Sequence, residues 1–196
     1  GGTIQSGSQL RFSSAPGTVY YTLDGSDPRQ WEGGVNPNAI SYVPGTTTQQ
    51  LFTANSNWKY YDQGSDLGTA WRTTLYDDFT WASGVGEFGY GDGDEATVVS
   101  FGPDPNNKYI TTYFRKAFQV TNLAEVTGLN LQLKRDDGAV VYINGVEAAR
   151  SNMPSGTITA STLAASVVGG ADESTFFQFN LNPGLLVEGN NLIAVE

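Results

Sequence analysis

The sequence contains no histidine and no cysteine. Without histidine it lacks the usual general base, the commonest transition-metal ligand and the side chain that titrates near neutral pH. Without cysteine it lacks thiol nucleophiles, disulfides and the common ligands of structural zinc. These absences argue against zinc hydrolases, Ser-His-Asp hydrolases and thiol redox enzymes.

Positive charge is also scarce, with 10 Lys and Arg against 20 Asp and Glu and a net charge of −10. We expect neither a nucleic-acid partner nor an anionic membrane surface, because no basic patch can replace phosphate counterions. No apolar run is long enough to span a bilayer, and no signal peptide is evident in this chain. The acidic surplus is typical of secreted proteins that bind Ca²⁺ through oxygen ligands, so we expect an extracellular or cell-surface protein.

Glycine is abundant at 24 residues, aromatic residues make up 12%, and long helix-compatible runs are missing. Short apolar runs separated by turn residues predict an all-β fold, an antiparallel β-sandwich without βα alternation. Strands are predicted at residues 9–13, 19–23, 40–43, 51–53, 97–101, 110–120, 129–134, 139–143, 175–181 and 192–195.

The organising stretch of the chain is residues 134–147, preceded by a predicted strand at residues 129–134. Leu129, Leu131 and Leu133 alternate with polar residues, which is typical of a strand with one buried face. Asn144-Gly145 between apolar residues predicts a β-hairpin turn, since both positions must adopt positive φ.

Residues 18–29 resemble a known module. The string Thr18-Val-Tyr-Tyr-Thr-Leu-Asp-Gly-Ser-Asp-Pro-Arg29 closely resembles the Ig-like module found at the C-terminus of chitobiases and in many secreted bacterial proteins. The resemblance implies a small partial Ig-like unit over residues 1–48. With about four short strands this unit is shortened, so we expect it to pack on a neighbour or on another chain.

Residues 49–196 resemble the galactose-binding-like jelly rolls attached to secreted enzymes and cell-surface proteins of bacteria. The resemblance rests on Trp58-Lys-Tyr-Tyr, Asp77-Asp-x-x-Trp81, Phe88-Gly-Tyr-Gly-Asp92, Tyr113-Phe-Arg-Lys116, Asp136-Asp-Gly-Ala-Val-Val-Tyr-Ile-Asn-Gly145 and Gly189-Asn-Asn-Leu-Ile-Ala-Val195. It implies an antiparallel jelly-roll β-sandwich. Many such modules bind sugar, and many only support a neighbouring domain.

Asp136 and Asp137 are the first candidate ligand-binding residues, at a corner between two predicted strands. Adjacent carboxylates can share one hard cation and can accept hydrogen bonds from sugar hydroxyls. A similar Asp-Asp-Gly occurs in the PA14 family, where some members use the pair for Ca²⁺-dependent sugar binding. In the alternative interpretation, one Asp caps the corner and the other pairs with Arg135 or Arg150.

Further ligand contacts are predicted at Arg135, Asn144, Tyr90 and Trp71. Of these, Tyr90 and Arg135 are expected at the same rim as the Asp pair. Trp71 and Trp31 are expected to be exposed and able to stack on a sugar ring, whereas Trp58 and Trp81 are expected in the core.

The densest group of oxygen ligands is Asp92, Asp94 and Glu95, in a Gly-Asp-Gly-Asp-Glu loop. Alternating Asp and Gly can wrap a cation, although the full EF-hand pattern is absent. This loop and the Asp136-Asp137 pair are the predicted Ca²⁺ ligands. The alternative is a plain solvated acidic loop.

The sequence therefore predicts a non-catalytic, extracellular carbohydrate-binding or adhesion module, stabilised by Ca²⁺ and partnered by a glycan surface. A paired-carboxylate glycosidase is not favoured, because adjacent Asp residues on a turn seldom face each other across a substrate. The alternative is a structural subunit of a surface layer or filament, assembled with other copies or neighbouring domains through open strand edges.

Overall fold

The computed structural model describes residues 17–42, 45, 47–91 and 93–196. The chain divides into two compact units, with the division between Gln49 and Gln50. Within the described part of the chain, no helix is long and apolar enough to span a membrane.

In the first unit, β1 (Val19–Tyr21) pairs antiparallel with β2 (Ile40–Tyr42). Aspartates build the turns after β1: Asp24 accepts a hydrogen bond from the Ser26 amide and Asp27 accepts one from the Arg29 amide, each at 2.9 Å. The strand predicted at residues 9–13 lies outside the described residues.

The second unit contains ten described strands and four short 3₁₀ helices. The strands are β3 (Asn57–Tyr61), β4 (Ala82–Val85), β5 (Phe88–Gly89), β6 (Thr97–Val98), β7 (Tyr113–Val120), β8 (Leu129–Leu133), β9 (Ala139–Ile143), β10 (Val146–Ser151), β11 (Phe177–Leu181) and β12 (Gly189–Val195). The 3₁₀ helices are Ala70–Arg72, Leu123–Glu125, Gly170–Asp172 and Pro183–Leu185.

Six strands form one antiparallel sheet in the order β10-β9-β12-β7-β3-β4, and β8 pairs antiparallel with β11. Only the two-residue strands β5 and β6 pair in parallel among the described strands. The predicted all-β class and antiparallel sandwich are confirmed.

One layer of the core lies between the six-stranded sheet and the β8–β11 pair. Phe118, Val141 and Ile193 come from the large sheet, and the leucines of β8 pack against them. In β8, Leu129, Leu131 and Leu133 are half-buried, while the residues between them are exposed. The predicted alternation of this strand is confirmed.

A second core layer covers the opposite face of the same sheet. Here Val140, Tyr142 and Tyr113 pack with Trp71 and Trp81, which come from the segment between β3 and β4. Strand β9 is buried on both faces as a result, and every residue from Ala139 to Ile143 is buried. Such a strand is typically a continuous apolar run.

The predicted hairpin turn joins β9 to β10. Asn144 has a φ of 52° and Gly145 a φ of 88°, so both central residues have the positive φ that the turn requires. The turn prediction is confirmed.

A buried arginine fixes the irregular segment that covers the second core layer. The Arg115 side chain is 4% exposed and its Nε donates to the Asp78 carboxylate at 2.7 Å. Its other nitrogens donate to backbone carbonyls of Trp71, Thr73 and Tyr76. One guanidinium, with five donors in a planar fork, thus satisfies four acceptors of a segment that has no sheet partner.

We expect Arg115→Met to lower the free energy of unfolding by about 3–5 kcal/mol, because it leaves several buried acceptors without donors. Urea unfolding followed by tryptophan fluorescence measures this, since Trp71 and Trp81 are buried in the same unit. Arg29→Met is the matched control, because the Arg29 side chain is 82% exposed and its ion pair with Asp27 is at the surface. A change below about 1 kcal/mol for Arg115→Met, similar to a surface pair, would contradict this role.

Candidate functional site

An open polar groove of about 470 Å³ lies in the second unit. Three connecting segments line it: residues 64–66 after β3, residues 103–111 before β7, and residues 160–161 between β10 and β11. Its polar lining consists of Ser65, Asp66, Asp104, Asn107, Lys108, Tyr109, Thr111 and Ser161.

Tyr109 is the aromatic wall of the groove and is held in place by two glycines. A Cβ at Gly64 would overlap the phenol ring, at 2.3 Å from its nearest atom, and a Cβ at Gly102 would make an unusually tight contact with it at 3.0 Å. The Tyr109 amide donates to the Phe101 carbonyl at 2.9 Å. On the other side of the groove, the Thr111 hydroxyl donates to the Ala160 carbonyl at 2.9 Å. These contacts give the groove a fixed shape.

Two exposed carboxylates face the groove and also order its loops. Asp66 accepts from the Gly68 amide at 2.8 Å, and Asp104 accepts from the Asn106 amide at 2.9 Å. Each carboxylate uses one oxygen for its own loop, as Asp does in turns. The second oxygen of each can therefore accept from a ligand.

An aromatic rim, defined as Tyr90 and Phe101, adjoins the groove through Lys108. The two rings meet edge to face with centroids 5.2 Å apart. The Lys108 ammonium lies 4.6 Å from the Tyr90 centroid and 5.6 Å from that of Phe101, within cation–π range. Because Lys108 also lines the groove, the aromatic rim and the groove form one continuous surface.

The structure brings the Asp136-Asp137 pair to this aromatic rim. Burial raises the pKa of the Tyr90 phenol, and the nearby Asp136 and Asp137 carboxylates raise it further because they oppose a phenolate charge. Three of the predicted ligand residues, Tyr90, Asp136 and Asp137, therefore share one region of the surface. Their role in ligand binding stays a prediction.

Asp136 is exposed and Asp137 is half-buried. The Asp137 carboxylate accepts from the Val168 amide at 2.6 Å, and its carbonyl accepts from the Asn152 side chain at 3.1 Å. Asp137 thus anchors the long connection between β10 and β11, rather than only its own corner. Arg150, which the alternative interpretation pairs with one of the two aspartates, instead forms an ion pair with Glu147, with Nη2 and Oε2 2.8 Å apart.

Arg135 and Asn144 have structural partners. The Arg135 guanidinium lies 4.3 Å from the Phe177 ring centroid, and its Nε donates to the Ser151 hydroxyl at 3.1 Å. The Asn144 amide donates to Asn191 at 2.8 Å and to the Leu185 carbonyl at 2.9 Å. Both residues are half-buried, so their predicted ligand contacts stay predictions.

The expected exposure of Trp71 is wrong. Trp71 is fully buried, with ring contacts to Tyr113 and Tyr142 and an indole N–H that donates to the Gly68 carbonyl at 3.1 Å. It cannot stack on a sugar in this fold. The charged residue next to it, Arg72, lies against the aromatic rings of Trp71 and Tyr142. Trp31 is exposed and Trp81 is buried, as predicted.

The structure describes only some of the predicted Ca²⁺ ligands. Asp92 lies outside the described residues, Asp94 is exposed, and Glu95 accepts from the Gly93 amide at 2.9 Å. Among the residues that the structure does describe, no group of three or more Asp or Glu side chains could hold a metal ion. Calcium binding therefore stays a prediction.

The groove residues were not predicted from the sequence. They come from segments far apart in the chain, and the most informative segment, Pro103 to Asn107, reads only as a turn-rich loop. Its proline, aspartate and asparagine content indicated a loop but not a shared surface with residues 64–66 and 160–161.

No protein-family model and no curated protein matches the chain. Among solved structures, a beta-glycosidase from Bacteroides vulgatus is 17% identical, with 75% of this chain and 17% of that chain covered, at a TM-score of 0.45. A beta-glucuronidase from glycoside hydrolase family 2 is 23% identical, with 79% of this chain and 14% of that chain covered, at a TM-score of 0.49. A beta-glucuronidase from an uncultured Clostridium sp. is 16% identical, with 79% of this chain and 23% of that chain covered, at a TM-score of 0.44. The chain spans 14% to 23% of these enzymes. Structural similarity at these identities and TM-scores does not indicate the function of this chain.

We expect Asp136→Asn to lower the pKa of Tyr90 toward its ordinary value, because one of the two carboxylates that oppose the phenolate loses its charge. The pKa stays raised in part, since burial is its largest cause. Titration of ¹³Cζ-labelled tyrosine by NMR, with Tyr90→Phe for assignment, measures the change. Asp172→Asn, another exposed aspartate, is the control, and an unchanged Tyr90 pKa in Asp136→Asn would show that the pair does not face the aromatic rim.

Proposed function

We propose that this chain is a non-catalytic carbohydrate-binding module of an extracellular or cell-surface protein, and that the polar groove is its binding site. The observation that carries the proposal is the lining of the groove. It places hydroxyl, amide, carboxylate and ammonium groups around one fixed tyrosine ring.

A sugar ring matches this lining. Its hydroxyls both donate and accept, and the groove supplies acceptors in Asp66 and Asp104 and donors in Asn107 and Lys108. Its C–H face is apolar and packs well on an aromatic ring such as Tyr109. The apolar part of the lining, besides the Tyr109 ring, is Pro103, Ile110 and Ala160. An entirely apolar ligand would cover the charged Asp66, Asp104 and Lys108 without giving them hydrogen-bond partners.

The groove does not favour hydrolysis. A glycosidase needs one carboxylic acid kept protonated by a water-excluding pocket, placed opposite a second carboxylate. Asp66 and Asp104 are both exposed, and both are engaged as loop-ordering acceptors. The absence of histidine and cysteine from the sequence removes other common catalytic groups. We therefore assign the groove to binding.

The surface charge supports the proposed location and partner class. A net charge of −10 disfavours nucleic acids and anionic membranes and is compatible with neutral glycans, whose binding does not depend on counterion release. Adhesion to a polysaccharide or glycan surface is the role we propose for the intact protein.

Calcium is not needed for this proposal. Among the described residues, no group of three or more carboxylates could hold a metal ion, and the groove binds a sugar without one. A Ca²⁺ site at the Asp92 loop is a separate hypothesis. Glycan binding measured with Ca²⁺ and with EDTA separates the two, because the groove as described binds equally well in both.

The proposal is tested on a glycan array followed by isothermal titration with the best ligand. We expect Asn107→Ala to weaken binding by roughly 10-fold, the equivalent of one lost hydrogen bond. Asn106→Ala is the matched control, because it removes the same exposed side chain from the same loop outside the groove lining. No release of reducing ends from the bound glycan is expected.

Two results would contradict the proposal. Equal effects of Asn107→Ala and Asn106→Ala on affinity would show that the binding site lies outside the groove. No binding to any glycan would remove the carbohydrate function, and size-exclusion chromatography at high concentration would then test the structural-subunit alternative.

A further inference from the structure

We propose that Trp31, in the first unit, is a second carbohydrate contact that stacks on the face of a sugar ring. This inference rests on the proposed carbohydrate-binding function but uses a different unit and a different chemistry from the groove. It makes the chain a protein with two separate sugar contacts.

Trp31 is the most exposed large apolar residue in the described part of the chain, with a relative accessibility of 103%. Trp71 and Trp81 are buried at 0% and 5%, and Trp58 packs against the core. Tryptophan has the largest side chain and strongly favours burial, so an indole with no covering contact is unusual in a stable fold. Within the described part of the chain, nothing buries the indole of Trp31, so it is accessible to a ligand.

The turn that presents Trp31 closes without its side chain. The Gln30 amide donates to the Gly34 carbonyl at 2.7 Å, and the Gly33 amide donates back to the Gln30 carbonyl at 3.0 Å. Gly33 has a φ of +91°, a conformation that glycine adopts at no steric cost. Arg29 and Val35 form an antiparallel bridge below the turn. The backbone of the loop that carries Trp31 at its tip is thus closed, which reduces the backbone entropy lost on binding.

The base of the turn is fixed by a second group of hydrogen bonds around Asp27. Its carboxylate accepts from the Arg29 guanidinium at 2.9 and 3.0 Å, and its carbonyl accepts from the Asn36 side chain at 2.9 Å. The Arg29 hydrogen bonds lower the pKa of Asp27 to about 2. The Asp27 carboxylate therefore stays charged at neutral and mildly acidic pH.

The chemistry around the indole favours a sugar over other ligands. Next to Trp31 are Gln30 and Glu32, whose polar groups can bind the hydroxyls at the edge of a stacked ring. A protein hot spot would need surrounding contacts that exclude water, and these neighbours are polar and exposed. The net charge of −10 disfavours an anionic membrane surface.

The experiment uses the full chain and β-1,4-linked hexasaccharides of glucose, xylose and N-acetylglucosamine, together with the best glycan from the array. Acrylamide quenching of tryptophan fluorescence favours Trp31, because Trp71 and Trp81 are buried and Trp58 is half-buried. We expect bound glycan to protect part of the fluorescence from acrylamide, and Trp31→Ala to abolish that protection and weaken binding by roughly 10-fold. Trp31→Phe keeps an aromatic face and is expected to retain most of the affinity.

Leu23→Ala is the matched control, because Leu23 is an exposed apolar residue of the same unit without an aromatic ring. Unchanged affinity in Trp31→Ala, alongside weaker binding in Asn107→Ala, would overturn this inference and leave the groove in place. Weaker binding in Trp31→Ala alone would support Trp31 and overturn the groove. Absence of binding to every glycan would overturn both.

Discussion

The second unit depends on one buried cation. Arg115 reaches from β7 to the carbonyls of Trp71, Thr73 and Tyr76 and to the Asp78 carboxylate. The segment that it holds has little regular structure, so its backbone acceptors have no sheet partner to satisfy them. A planar guanidinium is the side chain best suited to several fixed acceptors at once.

The position of this segment decides how the six-stranded sheet is covered. With Trp71 and Trp81 on one face and the β8–β11 pair on the other, β9 becomes a strand with two buried faces. Because both faces of the sheet are covered, the connecting segments lie at its edges and ends. The groove and the aromatic rim both lie in those connections, where backbone turns rather than strands place the polar side chains.

Local patterns predicted the parts of the structure that local physics controls. Asn144-Gly145 predicted the hairpin because few other residue pairs adopt two consecutive positive φ values. The alternation of β8 predicted its buried face, since side chains of a strand point to opposite sides. Trp71 was misjudged because its burial depends on Tyr113 and Tyr142, which are distant in sequence. The residues next to Trp71 in the sequence do not indicate those two contacts.

The sequence by itself determined the all-β class, the turns, the acidic surface and the absence of histidine and cysteine chemistry. These follow from residue type and from interactions between near neighbours in the chain. The tertiary structure alone decided which aromatic residues are buried and which polar side chains share a surface. Asp66, Asn107 and Ser161 line one groove because three separate loops converge, and convergence is a property of long-range packing that no single stretch of sequence encodes.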